Sequence, residues 1–122
     1  MTKKILVVDD EKDIRASIKM ALGNVGCSIT AVKGGEEALQ LLKKEKFDLI
    51  LLDLLMPGMS GNEVAERIRK NPGTKNQKLV FLTVVTLGED GKALIQAFKP
   101  LDYIQKPFRL ADFRSRIRKL IS

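Results

Sequence analysis

The apolar and polar positions along the chain fall into two alternating rhythms. Lys4-Ile5-Leu6-Val7-Val8 is a short, β-branched apolar run that stops at Asp9-Asp10, as a buried strand does. From about Glu11 to Val25 the apolar residues Ile14, Ile18, Ala21, Leu22 and Val25 recur at helical spacing, with acids in the first turn and Gly23 and Gly26 near the exit. Ser28-Ile29-Thr30-Ala31-Val32 alternates like a strand with one wetter face until Gly34-Gly35 breaks it. Glu36 to Lys44, carrying Ala38, Leu39, Leu41 and Leu42, predicts a second helix. The next run, Phe47-Asp48-Leu49-Ile50-Leu51-Leu52-Asp53, holds four consecutive large aliphatics between turn-forming flanks. It reads as a strand buried on both faces at the centre of a parallel sheet covered by helices.

Pro57-Gly58 and Ser60-Gly61 force an irregular loop, after which Val64, Ala65 and Ile68 give a third helix its apolar side and Asn71-Pro72-Gly73 stops it. Leu79-Val80-Phe81-Leu82-Thr83 predicts a fourth buried strand, and Glu89 to Phe98 a fourth helix of weaker periodicity. Tyr103-Ile104 lies in a short fifth strand ended by Lys106-Pro107. Leu110 to Ile121 closes the pattern as a basic amphipathic helix through Phe113, Ile117, Leu120 and Ile121. Five strands alternating with five helices through short connections predict an α/β domain over residues 1–122, a doubly wound sheet whose crossovers are right-handed. In such sheets the site lies outside the carboxyl ends of the strands, where the strand order reverses.

Composition narrows the chemistry. With 44% hydrophobic and 30% charged residues and no apolar run near the length of a membrane span, the 122-residue chain reads as one globular domain. Few apolar residues precede Asp9, too few for a signal-peptide core, so a cytoplasmic location is expected. The single Cys27 has no partner for a disulfide, and the absence of histidine excludes His-based general bases, His-containing triads and His-ligated metals. The net charge of +7 reads first as a solvated Lys/Arg surface, with nucleic acid or an acidic partner as the functional readings. Arg109, Arg114, Arg116, Arg118 and Lys119 concentrate it near the end of the chain. Direct nucleic-acid binding is not expected there, because that helix spends Phe113, Ile117 and Leu120 on packing.

Each strand expected to be central ends in a polar group: Asp9-Asp10, Asp53, Thr83 and Lys106. Asp53 ends an apolar run, where a dry, unpaired carboxylate would cost several kcal/mol. Convergent carboxylates repel, so either one is neutralised or a cation sits among them, and hard oxygen ligands suit Mg2+. An Asp carboxylate is also a nucleophile toward phosphorus, and the transferring group would need a divalent ion, a lysine and a hydroxyl around it. Asp9 and Asp10 would then hold the metal, Thr83 donate a hydroxyl and Lys106 pair with the phosphoryl charge. Taken singly, Asp10 also reads as a helix N-cap, Thr83 as an ordinary strand residue, Lys106 as a turn lysine and Tyr103 as a packed aromatic.

Ile5-Leu6-Val7-Val8-Asp9-Asp10, the stretch from Asp48 through Asp53-Leu54-Leu55-Met56-Pro57-Gly58 to Gly61, Thr83, and Tyr103-Ile104-Gln105-Lys106-Pro107-Phe108 together resemble the receiver domain of two-component response regulators. The resemblance implies a flavodoxin-like sheet of order 2-1-3-4-5 and a signalling protein that catalyses only its own phosphorylation and dephosphorylation. Asp53 would accept a phosphoryl group from a histidine kinase or phosphotransfer protein. Asp10, Asp53 and the backbone carbonyl of Leu55 would bind Mg2+, with Asp9 acting through metal-bound water. Thr83 would swing toward the phosphoryl group and Tyr103 follow it inward, changing the face of the fourth helix, fifth strand and fifth helix that a downstream protein or a second, phosphorylated copy would meet. The bond before Pro107 is expected to be cis. With no effector domain in the sequence, the chain resembles stand-alone, chemotaxis-type receivers or a receiver cut from a longer protein.

Three departures from that family's pattern stand out. Val84 follows Thr83 where the family usually has Ala or Gly, which would narrow access to Asp53. Lys99-Pro100 replaces a Gly-Ala and removes the glycine that ends the fourth helix in the left-handed conformation. Leu55 places an apolar side chain over the site. The competing readings are a receiver-like scaffold that works without phosphorylation, a flavin-binding protein and an aspartyl phosphatase. Asp9-Asp10-Glu11 would repel a flavin phosphate, and the phosphatase pattern wants an Asp two residues after the first, where Glu11 or Lys12 stands.

Overall fold

The computed structural model describes residues 2–23 and 25–121; Met1, Asn24 and Ser122 lie outside the described residues. Its elements are β1 (Lys3–Val8), α1 (Lys12–Gly23), β2 (Cys27–Val32), α2 (Gly35–Lys44), β3 (Leu49–Asp53), α3 (Gly61–Lys70), β4 (Leu79–Thr83), α4 (Glu89–Phe98), β5 (Asp102–Gln105) and α5 (Leu110–Ile121). The first helix is shorter than its apolar spacing predicts: the Val25 N–H turns back to the Leu22 carbonyl at 3.1 Å, and Gly26, at φ +77°, aims the chain into β2. The strands form one parallel sheet in the order β2-β1-β3-β4-β5, the expected doubly wound arrangement.

Strand alternation sorts the core into two layers. On one face Leu6, Val8, Ile50, Leu52 and Phe81 pack with Val64, Ala65 and Ile68 of α3, Ala38 of α2, and Leu94, Ile95 and Phe98 of α4. On the other, Ile5, Val7, Leu49, Leu51, Val80 and Leu82 pack with Ile18, Ala21 and Leu22 of α1 and with Phe113 and Ile117 of α5. β3 and β4 are buried at every position, whereas the edge strand β2 is mostly half-buried, which accounts for its wetter alternation. No helix among the described residues is long and apolar enough to cross a membrane.

The chain reverses strand order between β1 and β3, so the carboxyl ends of these neighbours open into one crevice. Asp9 leaves β1 there, its N–H bonded to the Val32 carbonyl at 3.1 Å, and Asp53 is the last residue of β3. The return from β3 is drawn tight. The Gly61 N–H donates to the Leu54 carbonyl at 3.1 Å, and the Ser60 hydroxyl caps α3 by accepting the Glu63 N–H at 3.3 Å.

The far end of α4 answers the question raised by Lys99-Pro100. Lys99 takes the left-handed conformation itself, φ 50° and ψ 57°, and its N–H donates to the Ile95 carbonyl at 2.8 Å. The glycine is absent but the turn it would make is retained, held from α3 by Arg69. The Arg69 guanidinium donates to the Phe98 carbonyl at 2.9 Å and to the carbonyls of Lys75 and Gln77 at 3.0 and 2.6 Å, capping the negative end of α4. A side chain in the left-handed region costs about 1 kcal/mol relative to glycine. Lys99→Gly is therefore expected to stabilise the domain by roughly 0.5–1 kcal/mol, read as a higher denaturation midpoint at unchanged slope.

Candidate functional site

β1 and β3 deliver Asp9 and Asp53 side by side, and the turn after β1 adds Asp10 and Glu11. One carboxylate oxygen from each of these four residues lies within 4.8 Å of the others. Asp9 is fully buried and Asp53 is 2% exposed, whereas Asp10 and Glu11 face solvent. Directly after β5 comes Lys106, 8% exposed, whose Nζ stands 2.8 Å from Asp9 Oδ2, 2.9 Å from Glu11 Oε1 and 3.4 Å from Asp53 Oδ2. The Lys106–Pro107 peptide that follows is cis.

Local hydrogen bonds fix the acids. Asp9 Oδ1 accepts the Glu11 N–H at 2.9 Å, the Asp9 carbonyl accepts from Arg15 on α1 at 2.8 Å, and Asp53 Oδ1 accepts the Leu55 N–H at 3.1 Å. The first carbonyl of α1 is that of Glu11, bonded by the Arg15 N–H, so the cap position falls on Glu11 and Asp10 is left to the acidic cluster. Asp9 Oδ2 meets Lys106 as an ion pair whose angle leaves this buried oxygen without a hydrogen bond.

Electrostatics follow from the packing. Burial first, and then the neighbouring charge of Asp9, push the Asp53 carboxyl up to about 7; Lys106 and the Leu55 N–H pull the other way without prevailing, and Asp10 adds to the rise. Burial works against the charge on Lys106, yet the close contact with Asp9 and the hydrogen bond to Glu11, with the charge of Asp53, hold its ammonium above the ordinary lysine value. Without a further cation, a proton is thus retained on Asp53 up to about neutral pH. With Glu11 engaged by Lys106, the oxygens of Asp9, Asp10 and Asp53, that of Asp9 buried and without a hydrogen bond, fit a small hard cation such as Mg2+ and offer nothing to a soft one.

Thr83 is buried at the end of β4, one residue past Leu82, the register partner of Asp53. Its hydroxyl oxygen accepts the Val85 N–H at 3.1 Å. Tyr103 is 9% exposed, already inside: its ring packs edge-on to Phe81 and its hydroxyl donates to the Val85 carbonyl at 2.8 Å, so both residues hold the loop that leaves β4. Val84 and Leu55, expected over the site, are 56% and 54% exposed. The basic residues of α5 are partly spent within the fold. Arg114 donates to the Ala21 carbonyl, and Arg116 grips Asp102 through two bonds of 2.9 and 2.6 Å.

Sequence reasoning missed two participants. The sequence offers Glu11 as an acid of the Asp9-Asp10-Glu11 run but not as a partner of Lys106, which the structure places 2.9 Å from it. Arg15 carried no signal, since its bond to the Asp9 backbone depends on how α1 leaves the turn.

A family model described as the response regulator receiver domain matches residues 5–118. The alkaline phosphatase synthesis transcriptional regulatory protein PhoP of Bacillus subtilis is 35% identical over 99% of this chain and 49% of its own length. The transcriptional regulatory protein ResD of the same organism is 38% identical over 97% of this chain and 48% of its own length. The chain thus spans about half the length of each of these two relatives. Among solved structures, the chemotaxis response regulator CheY4 of Vibrio cholerae superposes with a TM-score of 0.89 at 28% identity, covering 98% of this chain and 99% of that one. The response regulator TrrA of Thermotoga maritima, solved in complex with Mg2+ and a beryllium fluoride, gives 0.81 at 36% identity over 98% and 99%.

Proposed function

The chain belongs to the response regulator receiver family of two-component phosphorelay signalling, and from that premise we propose that Asp53 is its phosphoacceptor, charged by a histidine kinase or a phosphotransfer protein. The observation that carries this reading is the placement of Asp53, a carboxylate at the end of the central strand that is 2% exposed, beside Lys106 and within the acidic cluster. A phosphorylation-independent scaffold would have no use for this complete set.

In the proposed reaction an ionised Asp53 oxygen attacks the phosphorus of a phosphohistidine. The P–O bond forms as the P–N bond breaks, the imidazole keeps the bonding pair and takes a proton, and Asp53 becomes an acyl phosphate. Attack of water on that phosphorus returns the carboxylate and inorganic phosphate. Lys106 favours the ionised form of Asp53 beforehand and pairs with the phosphoryl oxygens afterwards. Asp10, Asp53 and the Leu55 carbonyl would hold Mg2+, with Asp9 behind them through water. The bound ion would neutralise charge on the carboxylates and the phosphoryl oxygens.

The Thr83 hydroxyl would leave the Val85 N–H for a phosphoryl oxygen, moving the loop whose carbonyl also seats Tyr103. A reorganised face of α4, β5 and α5 would then engage a downstream protein or a second phosphorylated copy. Incubation with Mg2+ and a small acyl phosphate, read by intact mass, tests the proposal: one added phosphoryl group that requires Mg2+ supports it, and none at excess donor argues against it. In the same assay Val84→Ala is expected to react roughly two- to fourfold faster, less than about 1 kcal/mol of barrier, by trimming a β-branched side chain at the entrance. An unchanged rate would discard Val84 as an access residue.

A further inference from the structure

Lys106 is the one cation that the acidic cluster holds at close range among the described residues, and its three contacts are unequal. Nζ lies 2.8 Å from Asp9 and 2.9 Å from Glu11, but 3.4 Å from Asp53, the group it would serve in the proposed reaction. Nζ donates hydrogen bonds to Glu11 and Asp53 and pairs by charge with Asp9, so three carboxylates compete for one ammonium. To close on a phosphoryl oxygen borne by Asp53, Nζ has to move, and one of the two tighter partners has to yield.

The surroundings decide which. Asp9 is fully buried and its Oδ2 has no hydrogen-bond partner, so losing the ammonium would take the nearest counter-charge from a buried carboxylate. The Glu11 side chain is 55% exposed and is rehydrated as soon as it lets go. We infer that Glu11 is a positioning residue, a tether that holds Lys106 back from Asp53 and competes with the phosphoryl group for its ammonium. The inference rests on the proposed role of Asp53 and concerns how tightly the modified state is held.

The experiment uses beryllofluoride as the phosphoryl stand-in, with saturating Mg2+ and the full chain, and reads the bound fraction by fluorine NMR. Glu11→Gln and Glu11→Asp are each expected to reach half-saturation at an about two- to fivefold lower concentration than the parent, the worth of an ion pair of this exposure. The aspartate variant keeps the charge but is one methylene too short to hold Lys106. If it behaves like the parent while the glutamine variant tightens, the effect is one of general charge and the tether is refuted. Equal or weaker binding by both variants refutes it as well. Mg2+ affinity, titrated alone, should change less than about twofold in either variant; a larger loss would make Glu11 a metal ligand and overturn the inference. A parent chain that binds no beryllofluoride would overturn the reading of Asp53 itself. Thermal melts that stay near the parent's show that the variants are folded.

Discussion

Replacing Asp53 with Asn is expected to abolish phosphoryl incorporation completely and, in magnesium-free buffer near pH 7, to raise the melting temperature by roughly 8 °C. Loss of incorporation follows because an amide is no nucleophile toward phosphorus at neutral pH. The gain in stability follows from the same geometry. Asp53 sits in a buried site beside Asp9, and its carboxyl rises from the ordinary 3.8 to about 7. Between these values the folded protein holds a proton that the unfolded chain has released, so this group's contribution to stability falls as pH rises through the window.

A rise of that size converts to at most about 4 kcal/mol above neutral pH. The amide also takes a partner from Lys106, so a net gain of about 2 kcal/mol is expected. The advantage of Asp53→Asn should shrink as pH falls from about 7 and vanish below about 4, where the carboxyl is neutral in both states. Saturating Mg2+ should reverse the order, because an ion that binds the folded parent more tightly than the variant stabilises the parent more. Melting curves of both proteins across pH, with and without Mg2+, decide the matter. A variant no more stable than the parent without metal would mean that Asp53 carries no electrostatic strain.

Gly61→Ala is expected to cost about 3 kcal/mol or more and to slow phosphorylation with it. Gly61 opens α3 directly against the end of β3. A Cβ there would overlap the Asp53 carbonyl oxygen and lie 2.5 Å from the Leu54 Cα and 2.9 Å from the Asp53 carbonyl carbon. These are backbone atoms of a fully buried strand end, and they cannot yield as a side chain can. Gly35 makes a useful contrast: its Cβ would meet Val64 Cγ2 at 2.5 Å and Met59 Sδ at 3.0 Å, side-chain atoms that can give way by a shift which backbone atoms of a strand end cannot make. Denaturant unfolding of Gly61→Ala and Gly35→Ala should therefore show the larger loss at Gly61. Comparable small losses would mean that the β3–α3 approach is looser than the structure has it. Either the helix start or the strand end must shift to accept the methyl group, and the strand end carries Asp53, which is why stability and reactivity are expected to fall together.

The amino-acid sequence alone carried the order of elements and the direction of the sheet, because burial on both faces of a strand and on one face of a helix leaves distinct periods. It placed Asp9, Asp10, Asp53, Thr83 and Lys106 at strand ends, and strand ends in a doubly wound sheet share one crevice. Local details departed from it: α1 ends at Gly23, ahead of a turn through Gly26, and Lys99 takes a left-handed turn that its residue type disfavours, next to the Phe98 carbonyl that Arg69 holds. Tertiary structure alone decided who touches whom at the site. Glu11 reaches Lys106 across 95 positions of chain, Arg116 folds back on Asp102, and Gly61 is glycine for lack of room against β3. Hydrophobic periodicity is a property of neighbours in sequence, whereas an ion pair and a backbone close approach are set by the last few ångströms of packing, which no local pattern encodes.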